Sequence, residues 1–452
     1  MSHASSAFPS AGTTRTPGRR LRTLGAAVAL AVTSAAGAAD APKPSAARGP
    51  VAQYWMDLAT YNLMGMDEMP QMGGIAGSMM SGMMGTRAAP GRDGRHAKGV
   101  GNFGMTKYAG MPGRQIDIAL YTANKPAGTS ATQQTPERAD VGAEPLHLVT
   151  PPREGNSGGG EEASWPERPR GRILFYWGCS ATVKPGQPRV IDMGKFSTQE
   201  YAGFMQGRGV TDRGARAEPG YAIWPNDREN SRVARDASLV GEHVVRGDGV
   251  PDNLKFTLSR DQDFMPSLKL DSGGKLADSI RVHWPSIAQA RAYLLTATSA
   301  SEDKSGAPDL VLWSSSELPD PGTGLMNYAS NANVDKWLRE KVLLAPTQTE
   351  CAVPAGIFAK AGTAMLQGIA YGNEANFSYP PKPASAPATW SPDWVARVRN
   401  KSVAMNMLGE SAASMSGRSR DEDAGRDGDG EDRGKRGEKK GPVDALKGLF
   451  GH

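Results

Sequence analysis

Apolar and polar residues alternate in short stretches along most of this chain, with the period of strands. Ala52, Tyr54, Met56 and Leu58 alternate with Gln53, Trp55 and Asp57, and Ile116, Ile118 and Leu120 share one face of 115–121. Leu254, Phe256 and Leu258 alternate with Lys255 and Thr257, and Ile280, Val282 and Trp284 with Arg281 and His283. Shorter strand-like runs occupy 146–149, 189–193, 239–245, 267–270, 290–295 and 310–313. Turn signals such as Pro185-Gly186-Gln187-Pro188 and Ser272-Gly273-Gly274 separate them. The last strand spans 394–403, with Trp394, Ala396 and Val398 facing one way and Arg397, Arg399 and Lys401 the other. That cationic row is expected to face solvent, where it discourages edge-to-edge pairing. Helical spacing occurs at 200–205, a single turn, at Val334, Trp337, Leu338 and Val342, which follow the cap candidate Asn333 and stop before Pro346, and in a short marginal set at 443–450.

The densest apolar run is Arg172-Ile173-Leu174-Phe175-Tyr176-Trp177-Gly178-Cys179. Its aromatic content suits a central strand buried on both faces; a helix is the rival reading, although eight residues are short for one. Short turns to its neighbours, with no helical crossover, favour antiparallel pairing. After Ser272-Gly273-Gly274, inward Trp284 on one strand and Tyr293 on the next resemble a fibronectin type III or immunoglobulin-like sandwich over about residues 278–316. The resemblance implies a fold class only, and the helix near 333–344 departs from it.

The expected architecture is mainly β, with two antiparallel sandwich-like domains. The first spans 40–272 and carries a Gly/Met-rich loop at 62–113 and a linker-like loop at 151–171; the second spans 273–408. Glycine and proline, 55 and 33 of 452 residues, exceed average usage and account for the long loops. From 409 to 452 the apolar residues thin out, and 418–440 holds eight acids and eight bases, a composition expected to stay disordered. Leu446, Leu449 and Phe450 restore an apolar edge at the end, suited to docking on a protein partner or a surface.

Residues 1–39 read as a cleaved export signal. Arg15, Arg19, Arg20 and Arg22 precede the nine-residue apolar run 24–32 and the small-residue site Ala36-Gly37-Ala38. Arg19-Arg20 resembles a twin-arginine signal without its flanking residues, so the general secretory route stays open beside it. No segment approaches the ~20 apolar residues of a membrane-spanning helix. The formal charge of +5 falls to about +1 once four signal arginines are removed, which speaks against nucleic acid as a partner. The expected location is periplasmic or extracellular. There Cys179 and Cys351 are a disulfide candidate, with two separately buried thiols as the alternative.

For metal chemistry the candidates are Met64, Met66, Met69, Met72, Met79, Met80, Met83 and Met84. Thioethers are soft ligands that suit Cu(I), although a plain Gly/Met loop gives the same pattern. Three enzyme strings fail by context. Gly99-Val100-Gly101-Asn102-Phe103-Gly104 follows no strand, Gly155-Asn156-Ser157-Gly158-Gly159 sits in a polar loop, and Ser301-Glu302-Asp303-Lys304 lacks its partner motifs. His147, His243 and His283 have no zinc spacing, and Asp261-Gln262-Asp263 and Asp427-Gly428-Asp429 match no calcium loop. No catalytic residue is assigned. The expected function is non-enzymatic binding or envelope structure, with Cu(I) binding by the methionine loop and a secreted hydrolase with a loop-built site as alternatives.

Overall fold

A computed structural model describes residues 49–68, 102–107, 111–152, 171–195, 197–205, 207–211, 213–303, 306–385 and 390–409. The protein is mainly β. In chain order the strands are β1 (Ala52–Leu63), β2 (Gly113–Thr122), β3 (Ser130–Gln134), β4 (Leu146–Val149), β5 (Arg172–Trp177), β6 (Arg189–Asp192), β7 (Ala222–Trp224) and β8 (Gly241–Gly247). They continue with β9 (Lys255–Leu258), β10 (Asp271–Gly273), β11 (Ile280–His283), β12 (Ala292–Glu302), β13 (Pro308–Ser314), β14 (Glu350–Val353), β15 (Ala364–Tyr379) and β16 (Trp394–Leu408). Helices occupy Thr198–Met205 and Asn331–Arg339.

Thirteen strands form one sheet in the order β6-β5-β13-β12-β15-β16-β1-β2-β7-β4-β3-β8-β9, and β10-β11-β14 form a second. The larger sheet crosses the boundary expected at 272/273, because β1 pairs with β16 along its whole length. That pairing is parallel, as is β13 with β5; the remaining ladders are antiparallel. The run 172–177 is therefore not central: it lies next to the edge strand β6, with Ile173 and Phe175 buried on one face. Its parallel partner β13 enters from more than 130 residues away, so turns to sequence neighbours carried no information about it.

The sheet curls on its β9 side. Phe256 of β9 reaches back to Tyr54 of β1 (5.2 Å between rings) and stacks on Phe377 of β15 (5.4 Å), although six ladders separate β9 from β1. The core inside the curl takes Tyr54, Met56, Leu58, Ile118 and Leu120 from one half of the sequence, and Trp394, Ala396 and Val398 from the other.

A second core lies between the larger sheet and the three-stranded one. It holds Trp284, just after β11, against Tyr293 of β12, the pair that carries the fibronectin resemblance, with ring centroids 5.5 Å apart. The Cys179–Cys351 bridge, with 5.1 Å between Cα atoms, ties the end of β5 to β14 beside this core.

On the opposite face of the long strands, the helix Asn331–Arg339 packs Val334 and Trp337 against Ala59, Tyr61, Ile369 and Val403. Its cap is Ser330, whose hydroxyl accepts the Asn333 N–H, so the helix starts before the cap expected at Asn333. With a layer on each face, β1 and β16 are buried on both sides along most of their length. The row expected to face solvent is covered instead: Arg399 is 4% exposed and Lys401 1%.

Candidate functional site

Each of the strands β2, β1 and β16 places a charged residue under this covering layer. Asp57 of β1 lies opposite Asp117 of β2 and beside Arg399 of β16, with Lys401 two residues further along β16. All four side chains are buried. Period-2 alternation puts them on one face with Trp55 and Arg397, whose guanidinium sits 4.6 Å above the indole.

Arg399 grips Asp57 with a planar fork. Nε donates to Oδ1 and Nη2 to Oδ2, each at 2.7 Å, and the Ala215 N–H donates to Oδ2 at 3.0 Å. The segment bringing Ala215 approaches so closely that a Cβ on Gly214 would overlap both the guanidinium and the carboxylate. Asp117 is held by the turn 102–107: the Gly104 N–H donates to Oδ1 at 2.7 Å, and the Thr106 N–H and hydroxyl donate to Oδ2. Tyr61 closes that turn by donating to the Thr106 carbonyl at 2.8 Å. Lys401 donates to Asn327 Oδ1 at 3.1 Å and lies 4.5 Å from the centre of the Tyr328 ring. Arg399 sits over the same ring at 4.4 Å. One aromatic ring thus faces two cations, which it attracts through its negative face.

Burial sets the proton affinities. It raises Asp117 to about 6, helped by the Asp57 charge and opposed by the bonds from Thr106 and Gly104. Burial also lowers Lys401 to about 7, with Arg399 pushing the same way and Asp57 and Asp117 opposing. Tyr61 and Tyr328 are raised, again chiefly by burial. In an open cleft, an acid and an amine so tuned would suit proton transfer. A cavity of about 60 Å³ lies elsewhere, lined by residues such as Arg114, Gln115, Trp224 and Arg232 and by none of the four ionic residues.

A separate buried chain runs through the curled core. Tyr54 donates to Gln133 Oε1 at 2.6 Å, and Gln133 Nε2 lies 3.0 Å from His243 Nδ1. His243 Nε2 lies 2.8 Å from the Leu239 carbonyl, so it carries the ring proton and the amide donates to Nδ1. Burial lowers the His243 pKa, and Phe256 stacks on the ring at 5.3 Å. This histidine is a satisfied core residue. Of the other two, His147 pairs with Glu229 at 2.5 Å and His283 with Glu350 at 3.7 Å, both half-exposed.

Among the metal candidates, Met64 follows β1 half-exposed, with its N–H donating to the Met405 carbonyl at 2.7 Å, and Met66 forms a bridge back to Leu63. Met69, Met72, Met79, Met80, Met83 and Met84 lie outside the described residues, as do Leu446, Leu449 and Phe450, the export signal and the charged tail. Of the rejected strings, Gly104 has a definite task as a donor to Asp117. The Asp261-Gln262-Asp263 stretch is tied to the fold by Asp263, which accepts from the Ser238 hydroxyl and the Leu239 N–H. The ionic cluster leaves one visible sign in the sequence, a lone acid in each of two apolar strands, Asp57 and Asp117.

Compared with known proteins, the chain matches no family model and no curated protein. Among the described residues no helix is long and apolar enough to cross a membrane.

Proposed function

We propose that the protein acts outside the cytosol as a non-enzymatic binding or envelope-structural protein. The observation that carries this reading is how the fold holds its buried charged groups. Asp57 is held by Arg399 and Ala215, Asp117 by the 102–107 turn, and Lys401 by Asn327 beside two tyrosine rings. Groups held in this way by each other and by the surrounding loops act as internal ties of the fold. The Cys179–Cys351 bridge supports an oxidising compartment.

The test pairs cell fractionation with a screen of ester, glycoside and peptide substrates. Export without turnover is expected. Turnover that disappears in folded Asp117→Asn or Lys401→Met would replace this reading with the secreted hydrolase.

A second reading, Cu(I) binding by the methionine loop, draws on Met64, whose half-exposed thioether stands where that loop begins. Titration of the reduced protein with Cu(I) against a chelator tests it. Affinity should fall when Met64, Met66, Met69 and Met72 are replaced, and an unchanged affinity would remove the idea.

A further inference from the structure

The face that carries the ionic cluster changes character along β15 and β16. Cross-strand pairs on it run Tyr371 with Lys401, Ile369 with Val403, Gln367 with Met405 and Met365 with Met407. Residues directly opposite in an antiparallel ladder share a face, with Cβ atoms about 5 Å apart. Met405 and Met407 share it too, being two residues apart on one strand. Asn406 between them points the other way, donating to the Leu270 carbonyl at 3.0 Å. Three thioether side chains thus share one face of two neighbouring strands. Leu63 of β1 flanks Met405, and the Met64 N–H is bonded to the Met405 carbonyl.

Burial is graded along this row. Val403 and Lys401 are enclosed, while Met365, Met405 and Met407 are all half-buried. The three methionines therefore sit on hydrogen-bonded strands and are neither enclosed nor fully exposed. Methionine has three rotatable side-chain bonds, so sulfurs on Cβ atoms about 5–7 Å apart can converge on one centre without backbone movement.

We propose that Met365, Met405 and Met407 form a thioether site for Cu(I) on the sheet itself. Soft sulfur ligands select a soft monovalent ion, and three neutral thioethers leave its charge unchanged and need no deprotonation. The proposal uses none of the methionines at 69–84. It stands whether or not that loop binds metal.

The experiment uses the full chain under reducing conditions, with Cu(I) titrated against a bicinchoninate competitor. The variant M365L/M405L/M407L conserves volume and apolar character, and Met→Leu exchanges are well tolerated in cores. Affinity should fall at least tenfold in it. A variant carrying leucine at 69, 72, 79, 80, 83 and 84 should keep the site. Loss confined to the loop variant would favour the loop reading and overturn the sheet site, as would unchanged affinity in the sheet variant.

A second measurement needs no substitution. Peroxide oxidation of the wild type is mapped by mass spectrometry with and without Ag(I), a stable analogue of Cu(I). Silver should protect Met365, Met405 and Met407 and leave half-buried Met193 unprotected. Equal oxidation with and without silver at the three positions would overturn the proposal.

Discussion

Asp57 and Arg399 are 342 residues apart in sequence and side by side in the sheet, joined by two parallel hydrogen bonds of 2.7 Å with almost no access to water. A buried pair of this geometry does little for stability compared with a well-packed apolar pair, but leaving one partner alone is costly. Arg399→Met should therefore destabilise the protein by about 3–5 kcal/mol, because the Asp57 carboxylate loses both fork donors. The double variant Asp57→Leu, Arg399→Met should recover part of that loss. Urea unfolding midpoints of the two single variants and the double variant check this, and additive losses would contradict the coupling.

Gly214 supplies the space for that pair. An added Cβ would overlap Arg399 and Asp57, both fixed by their mutual bonds. Gly214→Ala should cost about 1–3 kcal/mol, the usual range for overpacking a filled interior. Gly273→Ala on β10 has nothing within 4 Å of the new methyl and should change stability by well under 1 kcal/mol. If the overlap is the cause, the Gly214→Ala penalty should shrink once Arg399 is already methionine. Thermal unfolding of the four combinations reads this directly.

Alternation in the sequence was a good guide to where strands lie. The runs around Phe256 and Val282 became β9 and β11 with their apolar residues inward, because each strand packs one face on a core. Strand order was not legible. β1 pairs with β16 and β5 with β13 across long stretches of chain, and period-2 patterning holds no information about distant partners. The cationic row on β16 shows the same limit. Its pattern says that Arg397, Arg399 and Lys401 share a face, but the layer over that face comes from elsewhere, from the segment around Tyr328 and the approach of Gly214 and Ala215. The ionic site was hidden for that reason. The disulfide was easier to foresee, since the chain has only two cysteines.

The Cys179–Cys351 bridge spans 172 residues of sequence. Closing so long a loop removes much of the unfolded chain's freedom, about 5 kcal/mol in the chain-entropy model, of which measured bridges often deliver less. Reduction should lower the urea midpoint and loosen the small sheet first, since β14 carries Cys351. The double variant Cys179→Ala, Cys351→Ala should start from that lower midpoint and no longer respond to dithiothreitol. An unchanged wild-type midpoint after complete reduction would deny the bridge a stabilising role.

Lys401 gives the fold a pH dependence of known sign. Its pKa is lowered to about 7 in the folded protein, first by burial and then by the Arg399 charge, whereas the unfolded chain titrates near 10.5. Between those values the unfolded state binds more protons, so stability rises with pH across the window and is lost as pH falls through about 7. Asp117 works at a lower range and in the opposite sense. Raised to about 6 from 3.8, it contributes stability below 3.8 that disappears as pH climbs through 6, so it adds no slope above 7. Tyr61 and Tyr328, both raised above 10, begin to lose stability only beyond that value. The interval from pH 7.5 to 9.5 therefore isolates the lysine within this cluster. The wild-type urea midpoint should climb across it, and Lys401→Met, which keeps most of the volume and cannot titrate, should flatten the climb. A Lys401→Met profile parallel to wild type would show that the slope comes from other groups.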